Sequence, residues 1–168
     1  MKIAIVALLF AASALAQTPN TRLPAACGPG KVDFEAKLDK SQHSTVQPEP
    51  GKARIYFIQT VNTDMLNTYT TSRLGIDGAW VGGNKHNSYF SVSIEPGEHH
   101  LCASMWHSRF DQYVVLAHLT AEPGKVYYYR LGFIETRGLS DWKLDPIDSD
   151  EAEYLVASYP LSVSTPKK

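Results

Sequence analysis

The strongest constraint on this chain is a pair of consecutive hairpin signals between Arg73 and Trp106. In RLGIDGAWVGG, Asp77-Gly78 separates two apolar runs. Both turn residues tolerate the positive φ that a two-residue type I′ turn demands. In SYFSVSIEPGEHHLCASMW, Pro96-Gly97 separates two alternating runs. Phe90, Val92 and Ile94 fall on one face of the first run, and Ser91 and Ser93 on the other. Past the turn, His99, Leu101, Ala103 and Met105 share one face, with His100, Cys102, Ser104 and Trp106 opposite. A chain that alternates and reverses in this way folds as strands.

The turn chemistry is reused. Glu49-Pro50-Gly51-Lys52, Glu95-Pro96-Gly97-Glu98 and Glu122-Pro123-Gly124-Lys125 share one form. Proline presets φ at the second turn position, and glycine supplies the positive φ of a type II turn at the third. Their spacing is irregular, so a solenoid repeat is excluded. ARIYFIQT is apolar almost throughout, as in a strand covered on both faces. VNTDMLNTYTTS and GGNKHN read as loops, and KVDFEAKLDKS carries a short alternating run. QYVVLAHLTAE and KVYYYRLGFIE read as a hairpin around Pro123-Gly124. Near the end, Asp148 or Ser149 caps a short helix that Pro160 stops, with Tyr154, Leu155 and Ser158 on one face.

The expectation is an all-β antiparallel sandwich of about seven or eight strands with one short C-terminal helix. Its core is Ile55, Phe57, Leu74, Ile76, Phe90, Val92, Ile94, Leu101, Val115, Leu131 and Leu155. Residues 49–161 form the sandwich domain, preceded by a flexible arm over 17–48 and followed by a tail over 162–168.

Residues 1–16 read as a secretion signal: Lys2, an apolar run from Ile3, and Ala14-Leu15-Ala16 as the cleavage site. No second apolar run approaches the ~20 residues of a membrane-spanning helix. The protein is therefore expected to be exported, periplasmic or secreted, with no transmembrane segment in the mature chain. Pro24 and the distance from the apolar run argue against a lipid on Cys27. In an oxidising compartment Cys27 and Cys102, the only cysteines, are expected to form a disulfide that tethers the arm. The net charge of −1, with scattered basic residues, argues against a nucleic-acid partner.

Catalytic frames are missing from the pattern. There is no HExxH, CxxC or GxSxG, and Gly82-Gly83-Asn84-Lys85 lacks the strand and helix that frame a phosphate loop. No catalytic residue, metal ligand or cofactor is assigned, and untagged protein should carry no stoichiometric zinc or copper. The best polar constellation is HSRFDQ. Trp80, Trp106, His107, Arg109 and Asp111 form a candidate binding edge for an envelope protein or a glycan. The competing reading is a small metal-dependent or hydrolytic enzyme built on His100, His107 and His118.

The run PGKARIYF, IDG, PGEH and PGKVYYYRL, spanning about Pro50 to Tyr159, resembles the bacterial domain-of-unknown-function 2846 family. The IDG and PG-x-H part is also similar to PEGA-type surface β domains. The resemblance implies an exported or lipoprotein-like β-sandwich with no assigned catalytic residues or cofactor. The secretion signal, the turn-rich β scaffold and the missing catalytic frames together lead to the expectation of a non-enzymatic binding or structural accessory module of the bacterial envelope.

Overall fold

The computed structural model describes residues 24–30, 32–43, 45–60, 71–107, 110–136 and 139–167, with the side chains at 106–107, 110–112, 133–136 and 139–141 left outside the description. In chain order the strands are β1 (Phe34–Asp39), β2 (Ala53–Thr60), β3 (Ser72–Ile76), β4 (Ala79–Asn84), β5 (Ser88–Ile94), β6 (Gly97–His107), β7 (Phe110–Ala121), β8 (Val126–Thr136) and β9 (Leu139–Pro146). Helix α1 (Ser149–Ser158) and β10 (Leu161–Pro166) follow.

Two sheets result, one of six strands in the order β1-β10-β5-β2-β8-β9 and one of four in the order β4-β3-β6-β7. Ile55, Phe57, Ile94 and Leu131 of the first pack against Leu74, Ile76, Leu101 and Ala103 of the second, so the arrangement is sandwich-like. Seven of the eleven expected core residues, Ile55, Phe57, Leu74, Ile76, Ile94, Leu101 and Leu131, are buried there, while Phe90, Val92 and Val115 pack on its margin.

The hairpin at Asp77-Gly78 forms as expected, with φ of 50° and 82° at the two turn residues. Two of the three Pro-Gly turns close with an amide-to-carbonyl bond, Lys52 N to Glu49 O at 3.0 Å and Lys125 N to Glu122 O at 3.3 Å.

The expectation of seven or eight antiparallel strands is corrected on both counts. The described residues contain ten strands, and the six-stranded sheet is mixed. β2 and β8 run parallel, with Arg54 opposite Val126 and Thr60 opposite Gly132, and β10 meets β5 in parallel at Leu161 and Tyr89. β7 and β8 are therefore not a hairpin: β7 pairs with β6, and the Pro123-Gly124 turn carries the chain into the other sheet. A turn motif specifies a reversal, not a partner. The two EPGK turns instead sit side by side, with Gly124 N donating to Lys52 O at 2.8 Å and Arg54 N to Lys125 O at 3.0 Å.

A segment from each side of the expected domain enters the sheet. β10 lies where a tail was expected, paired antiparallel with β1 from Leu161 opposite Asp39 to Pro166 opposite Phe34. Neither is stable alone, since each is short and polar on one face. Pairing supplies the backbone partners that the sequence does not advertise. Gly82, Gly83 and Asn84, read as a loop, are the last residues of β4.

β2 owes its apolar run to its central position. Ile55 and Phe57 face the second sheet, while Tyr56 and Ile58 face α1 together with Tyr89 and Tyr128. The helix is capped by Asp148, whose carboxylate accepts from Glu151 N at 2.9 Å. Its buried face is Ala152 and Val156, with Leu155 only partly buried and Tyr154 72% exposed, so the expected Tyr154–Leu155–Ser158 face is shifted.

Candidate functional site

Most of the polar chemistry gathers on and around the outer face of the four-stranded sheet. The alternation of β6 sends Cys102 to that face, where it bonds Cys27 with a Cα–Cα separation of 5.2 Å. Residues 24–28 thereby become a strap across β3, β4 and β6. Cys27 N donates to Pro24 O at 2.9 Å, and Gly78 N donates to Ala26 O at 3.2 Å.

Trp80, which the sequence leaves open as a surface contact or a core residue, is half-buried beneath this strap with Ala26, Cys27 and Val114. The Arg73 guanidinium carbon lies 4.7 Å from the centre of the indole. Arg73 is itself buried, donating to Ser104 Oγ at 3.0 Å and to Val32 O at 3.5 Å. Burial lowers its pKa, and the nearby Asp33 carboxylate opposes that shift.

Gly28 is the residue that lets the strap lie flat. A Cβ there would stand 2.2 Å from Trp80 Cδ1 and 2.6 Å from the Trp80 amide nitrogen. Gly28→Ala is expected to lift the strap and cost on the order of 1–3 kcal/mol, as overpacking does elsewhere. Urea unfolding measures the loss, and an unchanged midpoint would show that the strap is not seated on Trp80.

Of the proposed binding edge, only Trp80 lies among the residues whose side chains are described. Trp80 on β4 is opposite Gly75, which in turn is opposite Cys102 on β6. Trp106 lies four residues further along β6, or about 13 Å at the usual strand rise. The backbones of Trp106, His107 and Asp111 belong to β6 and β7, while their side chains and the whole of Arg109 lie outside the described residues.

His99 closes the end of the sheet. Its Nδ1 is 2.6 Å from Asp77 Oδ2 and its Nε2 is 2.7 Å from the Glu95 carbonyl. Both partners only accept, so both ring nitrogens donate and the ring is an imidazolium. Asp77 Oδ1 also accepts from His100 N at 2.8 Å. A His–Asp pair resembles half of a hydrolytic triad, but Nε2, which would face a nucleophile, is spent on Glu95. The clamp ties the two hairpin turns together.

Partial burial of His99 works against its charge, but Asp77 and then the Glu95 carbonyl outweigh it and raise the pKa. Desolvation likewise opposes ionisation of Asp77, yet the His100 amide and the His99 ring outweigh it and lower the pKa. The His99 contribution is thus full below its ordinary value of 6.5 and is lost as pH rises through the raised value. The Asp77 contribution is full above 3.8 and is lost as pH falls through the lowered value. Stability from the clamp is therefore expected to peak between these limits. In Asp77→Asn the fall above pH 6.5 should be shallower; identical slopes of urea midpoint against pH in both proteins would exclude the clamp as its source.

His100 and His118 are cross-strand partners on the outer face, with ring centres 5.2 Å apart and planes inclined by 57°. His107 is seven residues from His100 on the same strand, roughly 23 Å away by strand rise. The trio invoked for a metal enzyme is therefore not brought together. Among the described residues, no group of three or more His, Cys, Asp or Glu is gathered around a point. Cys102, on the same face as His100, is held in the disulfide.

No protein-family model, curated protein or solved structure matches this chain. One feature carried no sequence signal at all. Asn84 is fully buried between the sheets, donating to Phe57 O at 3.0 Å and Ser88 O at 3.3 Å and accepting from Ser88 Oγ at 2.6 Å. No helix among the described residues is long and apolar enough to cross a membrane. The acids at the start of α1 have structural roles, Asp148 as cap and Glu151 as partner of Arg130.

Proposed function

We propose that the protein is an exported, non-enzymatic accessory module of the bacterial envelope, acting as a binding or structural domain. The observation that carries this reading is the Cys27–Cys102 bridge. Disulfides of this kind persist in oxidising compartments. Here the bridge joins a chain whose first residues have the form of a secretion signal. The polar groups around it support the same reading: His99 is spent on a clamp and Cys102 on the bridge. The likeness to the domain-of-unknown-function 2846 family points the same way. Its partner is an envelope protein or a glycan.

Native mass spectrometry of untagged protein from the envelope fraction, compared with the denatured mass, tests this. The expected denatured mass is that of residues 17–168 less two hydrogens. A native mass excess lost on denaturation identifies the class of what it binds. Recovery from the cytoplasm as the uncleaved chain with two alkylatable thiols would overturn the reading.

A further inference from the structure

We propose that His100 and His118 together chelate one divalent transition-metal ion, Cu2+ in preference to Zn2+, with water completing the coordination. The case is geometric. A strand residue directs its N–H and C=O to the same side. Those of His100 are both turned to the Asp77 turn, with Asp77 N donating to His100 O at 3.0 Å and His100 N donating to Asp77 Oδ1 at 2.8 Å. The carbonyl of His118 is turned away from β6, accepting from the Tyr129 hydroxyl at 2.9 Å. The pair is therefore of the non-hydrogen-bonded kind, in which the two Cα atoms approach to about 4.5 Å and the side chains stand closest.

The ring separation fits one shared ion. Two imidazoles bound at ~2.0–2.1 Å place their ring centres about 4.5–5.3 Å apart for angles between square-planar and tetrahedral. The observed separation is 5.2 Å. The rings also differ from His99 in availability: both residues are exposed. Asp77 is committed to His99 and to the His100 amide, so it contributes field and not a ligand; its carboxylate interacts favourably with His100. Imidazole donors suit copper, zinc and nickel, and the general affinity order places Cu2+ above Zn2+. A two-ligand site open to water exchanges its ion readily, so the metal is added to the protein and not retained through purification. The inference does not depend on export or on the envelope role.

Titrating the untagged, full-length protein with CuCl2 and separately with ZnCl2, by calorimetry and by electron paramagnetic resonance for copper, tests it. One Cu2+ per chain is expected, with hyperfine structure from two nitrogens and weaker Zn2+ binding. A preorganised pair gains on the order of 10²-fold over a single donor. His100→Ala and His118→Ala should therefore each weaken Cu2+ binding at least tenfold, with the double variant little worse than either. His43→Ala, which removes an imidazole outside the pair, should leave the affinity unchanged. Wild-type affinity in both single variants, or no saturable Cu2+ binding, overturns the proposal. A second readout needs no variant: protons compete for the ligands. Copper affinity is expected to fall as pH is lowered while the circular dichroism spectrum is unchanged. A copper affinity that does not change with pH also overturns it.

Discussion

Replacing Cys27 and Cys102 together by alanine should lower the unfolding free energy by about 4–5 kcal/mol, the value that the chain-entropy account assigns to so long a loop. The bridge spans 75 residues, and it closes the two ends of almost the whole first half of the domain. In the reduced, unfolded chain the strap is free to explore space that the bridge otherwise denies it. Local contacts do not substitute for it. Beside its packing on Trp80, the strap is tied to the sheet by the Ala26 carbonyl on Gly78 N. Bonds of this kind contribute about 0.5–1.5 kcal/mol each. At ~2–4 °C per kcal/mol for a domain of this size, the melting temperature should fall by roughly 10–20 °C. Trp80 fluorescence should shift to the red as the strap leaves its ring. A loss below ~1 kcal/mol, the scale of a single hydrogen bond, with an unshifted spectrum would show that the strap is seated by packing alone. A loss of this size would make the fold most stable where cysteines are kept oxidised.

What could be read from the sequence was whatever is decided locally. Asp77-Gly78 carries its own backbone instruction, and the alternation of Phe90, Val92 and Ile94 announces a strand with one buried side. The bridge was legible because only two cysteines exist to make it. Partnering was not legible. β2 and β8 follow the same EPGK turn and lie together in parallel, yet nothing in either segment names the other. β10 is short and half polar, and it becomes a strand because β1 and β5 offer their edges. The site suffered in the same way. Whether Trp80 is exposed or covered could not be read because the strap that covers it lies about 50 residues away in sequence; covering contacts at that separation leave no periodic mark. His100 and His118 pair only once the β6–β7 register is known, since a slip of one residue would send His118 to the core.

Phe57→Ala should cost about 3–5 kcal/mol, the usual range for truncating a buried aromatic ring. Phe57 is fully buried at the centre of β2, between Phe90 on one side and Tyr129 on the other. Its carbonyl also accepts from the Asn84 amide at 3.0 Å, so the same residue fixes the sheets in register across the core. The neighbouring Tyr56 has the opposite role, facing α1 and anchoring Val46 through its hydroxyl. Tyr56→Phe removes both hydroxyl bonds to Val46, from its N–H and to its carbonyl, and should cost about 0.5–1.5 kcal/mol for each. Because successive residues of one strand serve the two clusters, loss on one face must propagate to the other. In Phe57→Ala the helix and the sandwich core should still unfold together, at a lower urea concentration. Coincident far- and near-ultraviolet transitions are the expected result. Separate transitions, or a cost below ~1.5 kcal/mol, too little for a buried aromatic ring, would mean that β2 does not couple the two clusters.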